Sequence, residues 1–427
     1  MSYARRLTAD AGASAGLLEV RRHNLALVLG RLRSDGPRSR AALAAETGLT
    51  RSTVSSLVGE LVARGLVAEG ATARGAVGRP SQQVDLDGSG FHTVGAEVNL
   101  HYLAVTALNL RSEVVAERWV PIDAARLGAD VVLRRLAGLV LDVTGALGRA
   151  GSELVGTTVA VPGLVEQSTG RVLSAPNLGW SETPAAATMR GLLGDAGPLL
   201  LDNEANLAAR AEVGTDRRGV RDLVLLTGGV GVGAGVVAGG TLLRGVHGFA
   251  GEVGHMQLDP GGRRCGCGRR GCWETLVGLD ALLLAAADED DPVRDPALDV
   301  RSRLLTLRAR AEAGDARTLD ALDVTAGWLG AGAGVLVNLF NPELLVLGGY
   351  FAVLGPWLAT PVADTLHERV FAPRSGGCRV EPSTLGYPAA SRGGALEAQA
   401  RVFADPTAVG SSHPVVHPTV VPAGAPA

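Results

Sequence analysis

Apolar residues recur at helical spacing near the start of the chain and at strand spacing through much of the remainder. In LLEVRRHNLALVLGRLRSDG, Leu18, Leu25, Leu29 and Leu32 fall on one helical face, at intervals of seven, four and three, and Gly36 ends the run. SRAALAAETG predicts a short helix with Ser39 as N-cap and Gly48 as its stop. LTRSTVSSLVGELVARG predicts another, capped by Thr50, burying Val54, Leu57, Val58 and Leu61 and closing at Gly65. Two short helices across a tight glycine turn, the second opening with Thr-Arg-Ser-Thr, fit a helix-turn-helix. Its recognition helix would present Arg51, Ser52, Thr53, Ser55 and Ser56, short donors and acceptors plus one arginine, to base edges and phosphates. Two alternating segments, Leu66–Ala68 and Gln83–Leu86, then flank a glycine-rich loop carrying Arg74 and Arg79, which predicts a hairpin wing. Gly78-Arg79-Pro80 would hold an arginine on a stiff, extended tip suited to a narrow minor groove. A small three-helix protein-interaction module is the alternative this pattern allows.

From about residue 89 the period changes. HTVGAEVNLHYLAVTALNLRSEVVAERWVPI alternates as a meander of strands with a turn at Asn109 to Ser112. PLLLDNEANLAARAEVG predicts a buried strand running into a helix, and DLVLLTGGVGVGAGVVAGGTLL a strand, a glycine loop and a second strand. LGAGAGVLVNLFNPELLVLGGYF predicts an apolar helix, an Asn-Pro stop and a buried strand. Mixed strands with interposed helices, repeated over two halves, predict a two-lobed α/β body with a cleft. The expected boundaries are a flexible segment at 1–16, the winged helix-turn-helix at 17–88, the body at 89–402 and a disordered tail at 403–427, rich in Pro, Val and Ala.

Charge sharpens this division. Every one of the 40 basic residues is arginine, and the chain carries a formal charge of −3. Residues 1–85 hold twelve arginines against seven acids, a balance of +5, which leaves −8 for the remainder. A basic head on an acidic body suggests that the head alone approaches a polyanion. The first residues lack the apolar core of a secretory signal, and no uncharged apolar run reaches roughly 18 residues, so a cytoplasmic protein without a membrane span is expected.

Three stretches carry candidate chemistry. The glycine loop Gly228-Gly229-Val230-Gly231-Val232-Gly233 would let backbone amides approach an anion or a sugar, although such turns are often purely structural. Asp202-Asn203-Glu204-Ala205-Asn206 lies at a strand end, where its amides and carboxylates could fork onto the hydroxyls of a polyol; acids favouring a helix first turn explain it equally well. Three of the four cysteines, Cys265, Cys267 and Cys272, fall within eight residues. With His255 ten residues upstream they would complete a tetrahedral Zn²⁺ shell with no open position, a structural rather than hydrolytic site. His247 is a rival fourth ligand, and Cys-X-Cys is not the usual redox dithiol spacing.

GFAGEVGHMQLDPGGRRCGCGRRGCWE resembles the signature of the ROK family, bacterial repressors and sugar kinases with an actin-like ATPase fold, and the resemblance spans about residues 17–402. The head with its Gly-Arg-Pro wing is similar to the repressor branch, including xylose-type and N-acetylglucosamine-type repressors. The resemblance implies zinc on His255, Cys265, Cys267 and Cys272, and sugar contacts from Asn203, Glu204, Glu252, His255 and Glu274. It also exposes departures. The kinases of the family share an early Asp-x-Gly phosphate loop, where this chain has Glu97 and Asn99, and a catalytic Asp, where it has Glu204. A side chain at the glycine position obstructs close approach of phosphates, and an extra methylene displaces a general base. The expectation is therefore a non-enzymatic, sugar-responsive repressor. It would work as a homodimer or a dimer of dimers on a pseudo-palindromic operator. A sugar kinase, or a regulator governed by a protein partner, stands as the alternative.

Overall fold

A computed structural model describes residues 3–70, 82–194, 197–214, 217, 219–372 and 377–409, with side chains from residue 16 onward. In the head, α1 (Tyr3–Asp35), α2 (Arg40–Thr47) and α3 (Arg51–Ala63) pack with a three-stranded antiparallel sheet of β1 (Arg38–Ser39, between α1 and α2), β3 (Gln83–Leu86) and β2 (Val67–Gly70). The caps are those the sequence implies. Ser39 Oγ accepts from Ala42 N at 3.1 Å, Thr50 Oγ1 accepts from Thr53 N at 3.2 Å, and Gly48 ends α2 in the left-handed region. Leu25, Leu29, Leu32, Leu43, Val54, Leu57 and Leu61 form the core beneath α3.

Leu18 shares the helical phase of Leu25, Leu29 and Leu32 but is 67% exposed, so helical phase alone does not bury it. Residues 3–16 continue α1 as helix, in keeping with their alanine content. Arg74 and Arg79 lie outside the described residues.

The first lobe is built on the mixed sheet β11-β7-β4-β5-β6, formed by β4 (Phe91–Val98), β5 (Tyr102–Asn109), β6 (Val114–Pro121), β7 (Glu153–Val161) and β11 (Leu199–Asn203). Every residue of β4 and β5 is buried, whereas β6 is an exposed edge blunted by Glu117 and Arg118. Helices α4 (Ala124–Leu127), α5 (Ala129–Arg149) and α6 (Ala185–Leu193) cover this lobe, and β8 (Leu164–Glu166), β9 (Arg171–Ala175) and β10 (Trp180–Thr183) form a small antiparallel sheet beside it. Helix α7 (Glu204–Gly214) crosses to the second lobe.

That lobe repeats the strand plan as β14-β13-β12-β15-β16, with β12 (Leu223–Gly228), β13 (Val232–Ala238), β14 (Thr241–Leu242), β15 (Leu344–Gly349) and β16 (Arg379–Pro382). Each five-stranded sheet joins three parallel strands to an antiparallel pair, so the two halves are built alike. The helices are α8 (Glu274–Val277), α9 (Leu279–Ala286), α10 (Val300–Glu312), α11 (Ala316–Phe340), α12 (Tyr350–Val353) and α13 (Gly355–Arg369). Among the described residues, α11 alone is long and apolar enough to cross a membrane, but 56% of its apolar window is buried in the protein. It contributes Leu322, Ala326, Leu329, Ala333 and Leu336 to the lobe core.

The last helix, α14 (Ala389–Ala404), returns across the first lobe to the head. Val402, Phe403 and Val409 join Leu25 and Leu29 in the head core. The order of the body therefore extends to residue 409 rather than ending at 402, since these apolar residues find a surface the linear sequence cannot reveal. The remainder of the expected tail lies outside the described residues.

Candidate effector cleft and metal cluster

Between the lobes lies a cleft lined by the ends of β4, β11, β12 and β15 and by the loop running from residue 252 to 274. Sites in open α/β sheets form at such strand ends, because connecting loops diverge there and leave backbone groups free. Asn203, Glu204, Glu252, His255 and Glu274 all line this cleft, so residues spread over 72 positions converge on one cavity. Asn177, Tyr102 and Tyr387 line it too, and no sequence pattern singled them out.

The residues from 257 to 272 form a tight double-backed loop. Isolated bridges join Gln257 to Cys272 and Arg264 to Arg270. Gly271 has φ +67°, and a Cβ there would sit 1.5 Å from Asp259 O, so only glycine permits the turn into Cys272. The following residue, Trp273, is wholly buried and donates from Nε1 to Trp328 O at 2.9 Å, which pins the loop to α11.

Ligand atoms of His255, Cys265, Cys267 and Cys272 all lie within 4.8 Å of one another. Cys267 Sγ and Cys272 Sγ are 3.6 Å apart, as are Cys265 Sγ and His255 Nδ1. A tetrahedral ion with bonds of about 2.3 Å to sulfur and 2.0–2.1 Å to nitrogen demands ligand separations of roughly 3.5–3.8 Å. The four groups could therefore hold a metal ion with little movement. His247 is exposed and stands outside this group.

Nδ1 of His255 faces the sulfurs, and Nε2 faces Glu252 Oε2 at 3.9 Å. Glu274 Oε1 lies 2.7 Å from Cys265 Sγ and 3.4 Å from His255 Nδ1. The metal loop thus sets one imidazole edge and two carboxylates along the same wall.

Asn203 is more committed than its sequence position implies. Its Oδ1 accepts from Ala205 N at 2.8 Å and Asn206 N at 3.3 Å, capping α7, and its Nδ2 donates to Gly163 O at 3.0 Å. One amide proton remains for a ligand. The helix-capping account of this stretch and the binding account are both realised in the same side chain.

Across the cleft, Glu97 is buried at the end of β4. Its carboxylate accepts from Tyr102 OH at 2.7 Å and from Ser391 N at 3.1 Å, at the start of α14. Asn99 Oδ1 accepts from His101 N at 3.2 Å, so its side chain folds back onto its own turn. Burial raises Glu97 to about 7, against hydrogen bonds that oppose the shift. Burial, with the neighbouring Glu97 and Glu252 carboxylates, raises Glu204 to about 8. At neutral pH Glu204 mostly holds its proton, and a protonated carboxyl donates to a hydroxyl rather than taking its proton.

This has a consequence for stability. The folded chain keeps a proton on Glu204 that the unfolded chain releases near pH 4.5, so this group lowers stability as pH rises towards 8. Glu204→Gln should melt roughly 2–4 °C above the wild type at pH 8.5, the shift that ~1 kcal/mol produces, and should match it near pH 4.5. A difference that does not vary with pH would mean that Glu204 titrates normally.

In the head, Arg51, Ser52, Ser55 and Ser56 are exposed on α3, and Thr53 is half-buried beside its cap. Arg21, Arg38, Arg40 and Arg64 pair with Glu60, Glu46, Glu69 and Glu60 respectively. Arg51 has no ion-pair partner among the described residues.

Comparison with known proteins accords with both parts of the molecule. The sequence pattern of the MarR family matches residues 26–76, the helices of the head. The chain is 28% identical over 356 residues to a xylose repressor of Caldicellulosiruptor bescii, covering 81% of this chain and 88% of that protein. It is 31% identical over 311 residues to a glucokinase of Halalkalibacterium halodurans, covering 70% of this chain and 93% of the glucokinase. Among solved structures, a ROK family transcriptional regulator, described as a homologue of the E. coli MLC protein, superposes with a TM-score of 0.74 at 25% identity, covering 90% of this chain and 97% of that one. The glucokinase match covers a smaller share of this chain, 70%, than the repressor match at 81% or the regulator match at 90%. With the ROK pattern matching residues 94–401, most of the two-lobed body, the chain belongs to the ROK family.

Proposed function

We propose that the protein is a sugar-responsive transcriptional repressor whose operator affinity is set by occupancy of the interlobe cleft. The observation that carries this reading is the union in one chain of a winged helix-turn-helix and a cleft lined by Glu204, Glu252, His255 and Glu274. Carboxylates and an imidazole converging on one wall suit the vicinal hydroxyls of a monosaccharide or its derivative. The similarity to a xylose repressor points the same way. Arg51, Ser52, Thr53, Ser55 and Ser56 are the base and phosphate contacts, with Arg74 and Arg79, outside the described residues, as the further basic contacts. The metal is a structural Zn²⁺ on His255, Cys265, Cys267 and Cys272; its closed shell leaves no position for a reacting water. Working on DNA, the protein acts in the cytoplasm.

A homodimer is part of this reading, since paired half-sites require two recognition helices. The outer face of α11 supports it, where Val324, Val335 and Leu339 are exposed at helical spacing.

The test is a duplex selected on the protein from a random-sequence pool, titrated by fluorescence anisotropy with D-xylose, D-glucose, N-acetyl-D-glucosamine and hexose phosphates. One of these should weaken the complex at least tenfold, about 1.4 kcal/mol of coupling, and light scattering should give an even number of chains per duplex. Operator affinity indifferent to every sugar would refute sugar control, and one chain per duplex would refute the dimer. The glucokinase relative keeps a kinase reading in view. Against it, the same sugars with Mg-ATP should produce no sugar-dependent ADP.

A further inference from the structure

Helix α14 begins in the cleft wall and ends inside the head, about 24 Å away for its 16 residues at 1.5 Å each. Ala389 and Ala390 line the cleft. The start of the helix and Tyr387 just ahead of it are fastened there three times. Ser391 N donates to Glu97, Ser391 Oγ and Thr106 Oγ1 are 2.7 Å apart, and Tyr102 OH, 2.7 Å from Glu97, also reaches Tyr387 O at 3.0 Å.

In its first two turns the helix also packs backbone against backbone. A Cβ on Gly95 of β4 would meet Ser391 O at 1.7 Å, and a Cβ on Gly393 would meet Leu207 O of α7 at 1.7 Å. Backbones in direct contact cannot slide independently, so α14 moves with β4 on one side and α7 on the other. Glu397 accepts from Arg244, which follows β14 of the second lobe, at 3.1 Å; Arg244 also holds Asp202 at 3.0 Å, next to the cleft residues Asn203 and Glu204.

The far end is embedded in the DNA-binding unit. Phe403 and Val402 are core residues of the head, and the Arg33 guanidinium lies 4.7 Å over the Phe403 ring. Arg64, at the C-terminal cap of the recognition helix α3, donates to Thr407 O and Val409 O, both at 3.1 Å.

We propose that α14 is the coupling rod of the protein: a rearrangement of the cleft wall at Glu97, Tyr102 and Ser391 is delivered through α14 to Arg64 and the recognition helix. The residues at its two ends are therefore energetically linked although about 24 Å apart.

A double-mutant cycle tests this without any sugar. Tyr102→Phe loosens the cleft end, Arg64→Met cuts the tie at the head end, and the dissociation constant for the selected duplex is measured for the wild type, both single variants and the double variant. The double variant should depart at least fivefold from the product of the single effects; agreement within twofold overturns the proposal. Phe403→Leu replaces Arg64→Met in a second cycle should that variant fold poorly, under the same criterion. The sugar arm rests on the effector reading above. In it, Arg64→Met should bind the active sugar within threefold of wild type by calorimetry, yet show less than twofold release of DNA. Full release by Arg64→Met overturns the rod. A coupled cycle in a protein that no sugar releases supports the rod while removing sugar control, so the two ideas fail separately.

Discussion

Cys267→Ser should yield a protein that lacks its metal and binds the active sugar at least tenfold more weakly. The four ligand groups are close enough for a tetrahedral ion, and an ion there would tie the three thiols to the imidazole across a loop otherwise held by backbone bridges. Without the ion, the thiols and His255 lose their common centre, and with it the orientation of the imidazole edge facing Glu252. Groups that orient a ligand through a metal typically cost 10–100-fold when removed, and the loss here should fall in that range. Metal content by mass spectrometry of the purified protein and sugar affinity by calorimetry are the two measurements. Operator affinity without sugar should stay within threefold of wild type, because the head has its own core and shares none of it with the metal loop. A metal-free variant that binds sugar and releases DNA normally would sever the cluster from the cleft.

Arg51→Ala should weaken operator binding by about 10–100-fold, corresponding to the loss of one base or phosphate contact worth roughly 1–3 kcal/mol. Arg51 is exposed in the first turn of α3 and no acid among the described residues pairs with it, whereas Arg38 and Arg40 are held by Glu46 and Glu69. Arg38→Ala and Arg40→Ala should therefore change operator affinity less than threefold. Salt dependence separates the two roles open to Arg51. A phosphate contact reduces the slope of log affinity against log salt by about one, and a base contact relaxes selectivity at a single position. Sugar binding should be unchanged. Operator affinity equal to that of the wild type would remove α3 from the DNA interface.

Both expectations began in the sequence, and the reason is locality. A cap, a helix period, a glycine that must turn left and a ligand set spaced within one loop are all decided by residues near one another in the chain. Ser39, Thr50 and Gly48 act within three or four residues of their partners, and Cys265, Cys267 and Cys272 lie in one doubled-back loop. The departures expected at Glu97, Asn99 and Glu204 rest on the family resemblance in the same local way. What those side chains do was not legible. Glu97 serves α14, almost three hundred residues later, and Asn203 spends most of its amide on capping α7. Tyr102 and Tyr387 carried no signal, because a tyrosine in a buried strand and another after a glycine look like core and turn.

The amino-acid sequence by itself pointed to the division into a basic head and an acidic two-lobed body, the helix-turn-helix with its caps, and a thiol cluster that could hold a metal ion with one of two nearby histidines. Each follows from short-range periodicity, charge and coordination chemistry. Only the tertiary structure decided that Leu18 stays in solvent, that the chain packs onward through Val409, and that a glycine-lined helix joins the cleft to the recognition helix. Those facts depend on which surfaces meet after the chain has folded. Gly95 and Gly393 read in sequence as two small residues almost three hundred positions apart; in space they are the places where three backbones touch.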